Sequence, residues 1–173
     1  MDLKSYIRTV PGFPKPGINF FDITTLLKEP EALVEAVEQM ARPFIDQGIQ
    51  RVVGMEARGF ILGAPIAMRI GAGFVPVRKP GKLPAATHQV SYSLEYGEDT
   101  LCIHQDAIQA GEKVLIVDDL LATGGTVGAT IELVRKLGGE VAGVAFLIDL
   151  LELKDLPPRR KLDGVHTHVV LPM

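Results

Sequence analysis

The chain has 173 residues, 47 % of them hydrophobic, enough for one domain with a substantial core. A formal net charge of −3 and a pI near 5.8 exclude a surface held to nucleic acid or membrane by bulk positive charge. The one cysteine, Cys102, rules out an internal disulfide and fits a reducing, cytoplasmic setting. No apolar run reaches the length of a membrane span, and MDLKSYIRTV lacks the apolar stretch of a secretion signal.

Residues 2–7 read as a short amphipathic helix. The stretch Pro11-Gly12-Phe13-Pro14-Lys15-Pro16-Gly17 then interrupts regular structure, because three prolines bring no backbone donor. Residues 18–23 follow as an extended piece, so the opening segment is expected as an irregular flap with aromatics rather than a core element. Pro30 suits a helix N1 position, and Leu33, Val37, Met40 and Phe44 keep helical spacing up to Gly48. Residues 51–55 read as a short buried strand, 60–70 as a helix closed by Gly71, and 74–78 as a second strand.

A long polar loop carrying Arg78, Lys79 and Lys82 is expected to run on to Tyr92. Strands at 91–95 and 100–104 then form a hairpin around Tyr96-Gly97-Glu98. Alternation there puts Tyr92, Leu94 and Tyr96 on one face and Glu95 on the other. Residues 114–117 are a strand buried on both faces, expected to end at Asp118 and Asp119. The helix that opens after Gly124-Gly125 sets Val127, Ile131 and Val134 on one face and stops at Gly138-Gly139. Residues 141–148 form another apolar strand, and 165–171 a peripheral one. The run Arg159-Arg160-Lys161 reads as solvated surface. Strands alternating with helices imply an α/β fold with a mostly parallel sheet covered on both faces.

Chemistry concentrates in VLIVDDLLATGGT, residues 114–126. A strand, a loop of small residues (Ala122, Thr123, Gly124, Gly125, Thr126) and a helix N-terminus make an anion site of backbone amides, hydroxyls and helix dipole. The neighbouring acids Asp118 and Asp119 would repel that anion unless they bind something else. Ionised carboxylates only accept hydrogen bonds, so vicinal sugar hydroxyls suit them. The stretch therefore asks for a ribose 5-phosphate. Arg58, at the carboxyl end of the 51–55 strand, has a fork that can hold diphosphate oxygens, and Lys79 and Lys82 can add charge from a hinged loop. No Walker lysine, Rossmann glycine set or zinc spacing is present.

These motifs resemble the type I phosphoribosyltransferases, and in particular their adenine-using branch. FPKPGINFFDIT, EARGF, VRKPGKLP, YSLEYG and VDDLLATGGT spread the resemblance over nearly the whole chain. It implies that family's fold, with a hood over residues 1–28 and a flexible lid over 79–95. It implies transfer of a phosphoribosyl group from phosphoribosyl pyrophosphate to adenine, giving AMP and pyrophosphate, with Mg2+ carried by the substrate and a homodimer as the unit. The loop Glu56-Ala57-Arg58 is then a pyrophosphate site with a cis first peptide, shared with Lys79 and Lys82. Glu95 in SLEYG is then catalytic, because Ala122 stands where related enzymes carry an aspartate base. Phe13, Asn19 and Phe21 are expected to hold the base, the last two through backbone groups. Two alternatives stand beside this reading: a transferase for another purine, and a regulatory protein that senses the phosphoribosyl ligand on the same fold.

Overall fold

The computed structural model describes residues 1–94 and 96–173, so Glu95 lies outside the described residues. After a 3-10 turn at Leu3–Tyr6, β1 (Arg8–Pro11) pairs antiparallel with β2 (Asn19–Asp22). Helices α1 (Thr24–Leu27) and α2 (Pro30–Ala41) follow, then β3 (Arg51–Met55), α3 (Arg58–Ile70) and β4 (Gly73–Val77). β5 (Thr87–Ser93) and β6 (Glu98–His104) form an antiparallel ribbon. β7 (Lys113–Leu121), α4 (Gly125–Lys136) and β8 (Glu140–Asp149) come next, and a 3-10 turn at Pro157–Leu162 leads to β9 (Thr167–Pro172).

Five strands make the central sheet in the order β4-β3-β7-β8-β9, every pair of them parallel. Their apolar runs divide between two cores. Val52, Leu115, Val117, Ala145 and Leu147 pack with α2 and α3, while Val53, Ile116, Val144 and Phe146 pack with α4 and the ribbon. A strand buried on both faces must be apolar at every position, and these runs meet that need. The chain passes from β3 to β4 toward one edge and from β7 to β8 toward the other. The carboxyl ends of β3 and β7 thus flank a switch point, where open α/β sheets bind ligands.

Several expectations need correction. The opening segment is not irregular: residues 8–11 and 19–22 form a two-stranded hairpin, and Leu3, Ile23 and Leu26 are buried in the core. The polar loop after β4 is shorter than expected, since β5 begins at Thr87. The first residues of β5, 87–90, escaped notice because Val90 alone of the strand is buried, so no apolar alternation marks them, while 91–93 pair with β6 in the expected hairpin. The strand also ends at Ser93, and Leu94 and Tyr96 are exposed rather than sharing a face with Tyr92. α2 stops at Ala41, because Pro43 in the following 3-10 turn brings no amide to extend the ladder.

The most consequential difference is in β7. It does not end at Asp118 but runs on to Leu121. Its register with β3 stops at Gly54↔Val117, whereas its register with β8 continues to Leu121↔Asp149. Asp118 and Asp119 therefore remain in a strand that has lost one neighbour. They border the gap that β3 leaves as it turns into α3. That turn is tight: a Cβ at Gly54 would come 2.7 Å from the Gly59 carbonyl oxygen. Strand and helix start can approach so closely only with glycine, and this sets Arg58 over the crevice.

Candidate active site

The loop between β7 and α4 is built to present amides. Gly124 adopts φ +93°, a left-handed conformation that glycine takes without penalty. The Thr123 hydroxyl accepts from the Gly125 amide at 3.3 Å. α4 begins at Gly125, so its first amides lack intrahelical acceptors and carry the positive end of the dipole. Below them is a small cavity of about 60 Å3, lined among others by Asp118, Ala122, Thr123, Gly124 and Thr126.

A second cavity of about 270 Å3 adjoins it. Glu56, Ala57 and Arg58 line one side, Asp118, Asp119 and Thr126 the other, and Lys79, Tyr92 and Asp99 reach in from the ribbon side. Asp118 and Thr126 border both cavities, so the two form one site. The Glu56-Ala57 peptide is cis.

Charge in this site is held in pairs. Arg58 Nε donates to Asp119 Oδ2, and the Lys79 ammonium pairs with Asp99. Glu56 gathers the Lys79 amide at 2.8 Å, the Lys82 ammonium at 3.0 Å and Arg78 Nε at 3.4 Å. Burial works against ionised Glu56, but the Lys79 amide and Lys82 hold its carboxyl below the usual value. Lys79 lowers Asp99 in the same way. Asp118 behaves oppositely: burial first, and then neighbouring Asp119, push its carboxyl well above the ordinary range. Among the described residues no cation pairs with it. The Tyr92 hydroxyl, raised by burial, lies 3.1 Å from the Thr126 hydroxyl and 3.3 Å from Asp99, joining ribbon to loop.

The β1–β2 hairpin sits over Arg58, whose guanidinium carbon stands 5.9 Å from the centre of the Phe20 ring. Phe13 meets Phe20 edge-on at 5.1 Å and is half exposed. The register pairs Pro11 with Asn19 and Thr9 with Phe21. The Gly12 amide donates to the Ile18 carbonyl at 2.7 Å, which makes 12/18, 10/20 and 8/22 the hydrogen-bonded pairs. By that alternation the backbone groups of Asn19 and Phe21 point away from β1, onto an open edge.

Comparison with known proteins decides the family. A model of the phosphoribosyl transferase domain matches residues 24–165. An adenine phosphoribosyltransferase of Symbiobacterium thermophilum is 61 % identical over 164 residues, 95 % of each chain. This chain belongs to the adenine phosphoribosyltransferase family. The crystal structure of the Rhodothermus marinus adenine phosphoribosyltransferase superposes with a TM-score of 0.92 at 55 % identity, covering 99 % of this chain and 96 % of that one. The Saccharomyces cerevisiae adenine phosphoribosyltransferase, solved with an imino-altritol bisphosphate and adenine, gives 0.88 at 37 %, covering 98 % and 97 %.

With the family established, the expected residues can be placed. Asp118, Asp119, Ala122, Thr123, Gly124 and Thr126 surround the joined cavities with Glu56, Ala57, Arg58 and Lys79. Gly125 starts α4 at the same point. Lys82 does not line the cavity and instead pairs with Glu56 behind it. Phe13, Asn19 and Phe21 lie on the hairpin, with the Phe21 ring packed toward the core. Glu95 lies outside the described residues. Two polar residues of the larger cavity were missed, Tyr92 and Asp99. They face each other across the ribbon, and only the β5–β6 register brings them together. Arg159 was also missed: it is not solvated surface but donates to the carbonyls of Leu121 and Ala122.

Proposed function

We propose that this chain transfers the 5-phosphoribosyl group of phosphoribosyl pyrophosphate to adenine, giving AMP and pyrophosphate, a purine-salvage reaction. The observation that carries this is the meeting of phosphate loop, acid pair and Arg58 around one site at the sheet's switch point. The amides of residues 123–126 take the 5-phosphate, Asp118 and Asp119 the ribose hydroxyls, and the Glu56-Ala57-Arg58 loop with Lys79 the diphosphate. Lys82 supports that loop through Glu56 and serves the diphosphate when the lid over 79–95 closes. The C1′–oxygen bond breaks with its electron pair leaving on the diphosphate, and adenine N9 bonds to C1′. Stabilising the leaving charge and aligning N9 are the protein's tasks.

The paired charges supply a means. An arriving diphosphate competes for Arg58 and Lys79, and each cation it takes releases a carboxylate, Asp119 in the first case. The acid that faces the ribose is thereby freed by the group that binds the leaving end. Mg2+ would arrive carried by the substrate, whose oxygens are the hard ligands it takes. Bound with the substrate, the ion neutralises diphosphate charge.

Adenine shows a donor at N6 beside an acceptor at N1. The Asn19 carbonyl and Phe21 amide, adjacent on the open edge of β2, match that pair, and Phe13 stacks on the ring. Glu95 takes the proton-transfer role that the family's SLEYG motif implies. A homodimer fits α3, where Ile61 and Met68 are exposed at helical spacing and form an apolar stripe for a second copy. No helix of the described residues is long and apolar enough to cross a membrane. With a single buried free cysteine, the cytoplasm suits the chain.

Product analysis tests the reading. Adenine, phosphoribosyl pyrophosphate and Mg2+ should yield AMP and pyrophosphate in equal amounts. Binding of phosphoribosyl pyrophosphate without turnover would favour a sensor instead.

A further inference from the structure

Arg159 lies in the 3-10 turn behind the phosphate loop, and its side chain is only 10 % exposed. Its Nε donates to the Ala122 carbonyl at 2.8 Å. Its Nη2 donates to the carbonyls of Leu121 at 3.2 Å and Leu150 at 3.0 Å. Its Nη1 stands 2.8 Å from Asp149 Oδ1. Two nitrogens of the planar fork thus donate hydrogen bonds to carbonyls, and the third lies in an ion pair. The contact is also steric, since a Cβ at Gly124 would come 3.0 Å from the Arg159 backbone nitrogen.

A trans peptide is planar, with its carbonyl and amide hydrogen pointing in opposite directions. Holding the Ala122 carbonyl on the Arg159 side therefore turns the Thr123 amide toward the cavity. The Leu121 carbonyl, shared by Arg159 and the Leu150 amide, does the same for the Ala122 amide. Asp149 balances the guanidinium charge close by, so Arg159 contributes orientation more than attraction.

We propose that Arg159 is a positioning residue for the phosphate loop: by fixing two carbonyls at the loop's entry it aims the Thr123 amide, the first of those assigned to the phosphate, at the 5-phosphate. This rests on the assignment of residues 123–126 to that phosphate.

The test uses Arg159→Lys and Arg159→Gln, with exposed Arg160→Ala as the control. Calorimetry gives the dissociation constant of ribose 5-phosphate, and steady-state assays give kcat and both KM values. Losing a charged hydrogen bond of this kind should weaken ribose 5-phosphate and raise the KM for phosphoribosyl pyrophosphate about 10–100-fold. The KM for adenine and kcat at saturation should stay essentially unchanged, as should every constant of Arg160→Ala. Arg159→Lys should be impaired like Arg159→Gln, because a lysine keeps the charge but not the fork. Unchanged phosphate affinity, equal weakening of adenine and phosphate ligands, or an Arg159→Lys chain that fails to fold would each overturn the proposal. Should the unaltered chain fail to bind ribose 5-phosphate, the phosphate-loop assignment fails instead.

Discussion

Within the site, individual charges are already satisfied before any ligand arrives. Arg58 rests on Asp119, Lys79 on Asp99 and Lys82 on Glu56. In each pair the cation is part-exposed while its carboxylate is largely buried, so a diphosphate takes the cation only by offering it more charge than the carboxylate it leaves. Asp118 and Asp119 show why neighbouring acids need different surroundings: one is tied to a cation, and the other is desolvated without one. Glu95 carries the proton transfer in this account. Glu95→Gln should lower kcat about 10²–10⁴-fold with little change in either KM, as read by steady-state kinetics. Near-full turnover would move that role to water or another group. At this scale the local motifs were legible, because Asp118 to Thr126 and the Arg58 loop are contiguous in the chain. Arg159 was not. A run of three basic residues ordinarily marks solvated surface, and the carbonyls that bury this one lie 37 and 38 residues away.

Among the elements, the opening hairpin and the first half of β5 show what apolar periodicity leaves unseen. The opening hairpin has no fully buried strand residue and β5 has only Val90, so turn-rich or polar composition hides them, whereas the apolar run of β6 made the rest of the ribbon legible. β7 shows the converse: the acids looked like a strand end, yet the ladder to β8 carries the backbone onward. For the hairpin, backbone direction makes a specific prediction. The Phe21 ring packs toward the core while its amide faces the open edge, so the two can be separated by mutation. Phe21→Ala should lose about 1–2 kcal/mol of stability through the partly buried ring and keep its preference for adenine. Phe21→Pro removes an amide that the β1–β2 ladder does not use, which an edge strand tolerates, and should lose that preference. Comparing adenine and hypoxanthine turnover in both variants reads the difference. Hypoxanthine competing in Phe21→Ala would place recognition in the ring.

For the whole molecule, alternation of apolar strands with amphipathic helices was enough to imply the sheet, because strands buried on both faces leave few other arrangements. Pairing order and the switch point needed the structure. The outer face of α3 adds a prediction about assembly. Met68 is 84 % exposed, so Met68→Glu should leave the folding of one chain nearly untouched. If that stripe joins two copies, sedimentation at micromolar concentration should show a dimer for the unaltered chain and a monomer for the variant. An unchanged dimer would put the interface elsewhere.

The central claim is that this site joins phosphoribosyl pyrophosphate to adenine and rejects purines with a reversed edge. Pyrophosphate release measured with adenine, hypoxanthine, guanine and xanthine in turn tests it most directly. Hypoxanthine presents a donor at N1 and an acceptor at O6, leaving both backbone partners on β2 unpaired. Sites of that type discriminate by roughly 10⁴–10⁵ in kcat/KM. The account predicts that margin in favour of adenine. Comparable rates with hypoxanthine or guanine, or no release with any purine, would contradict it.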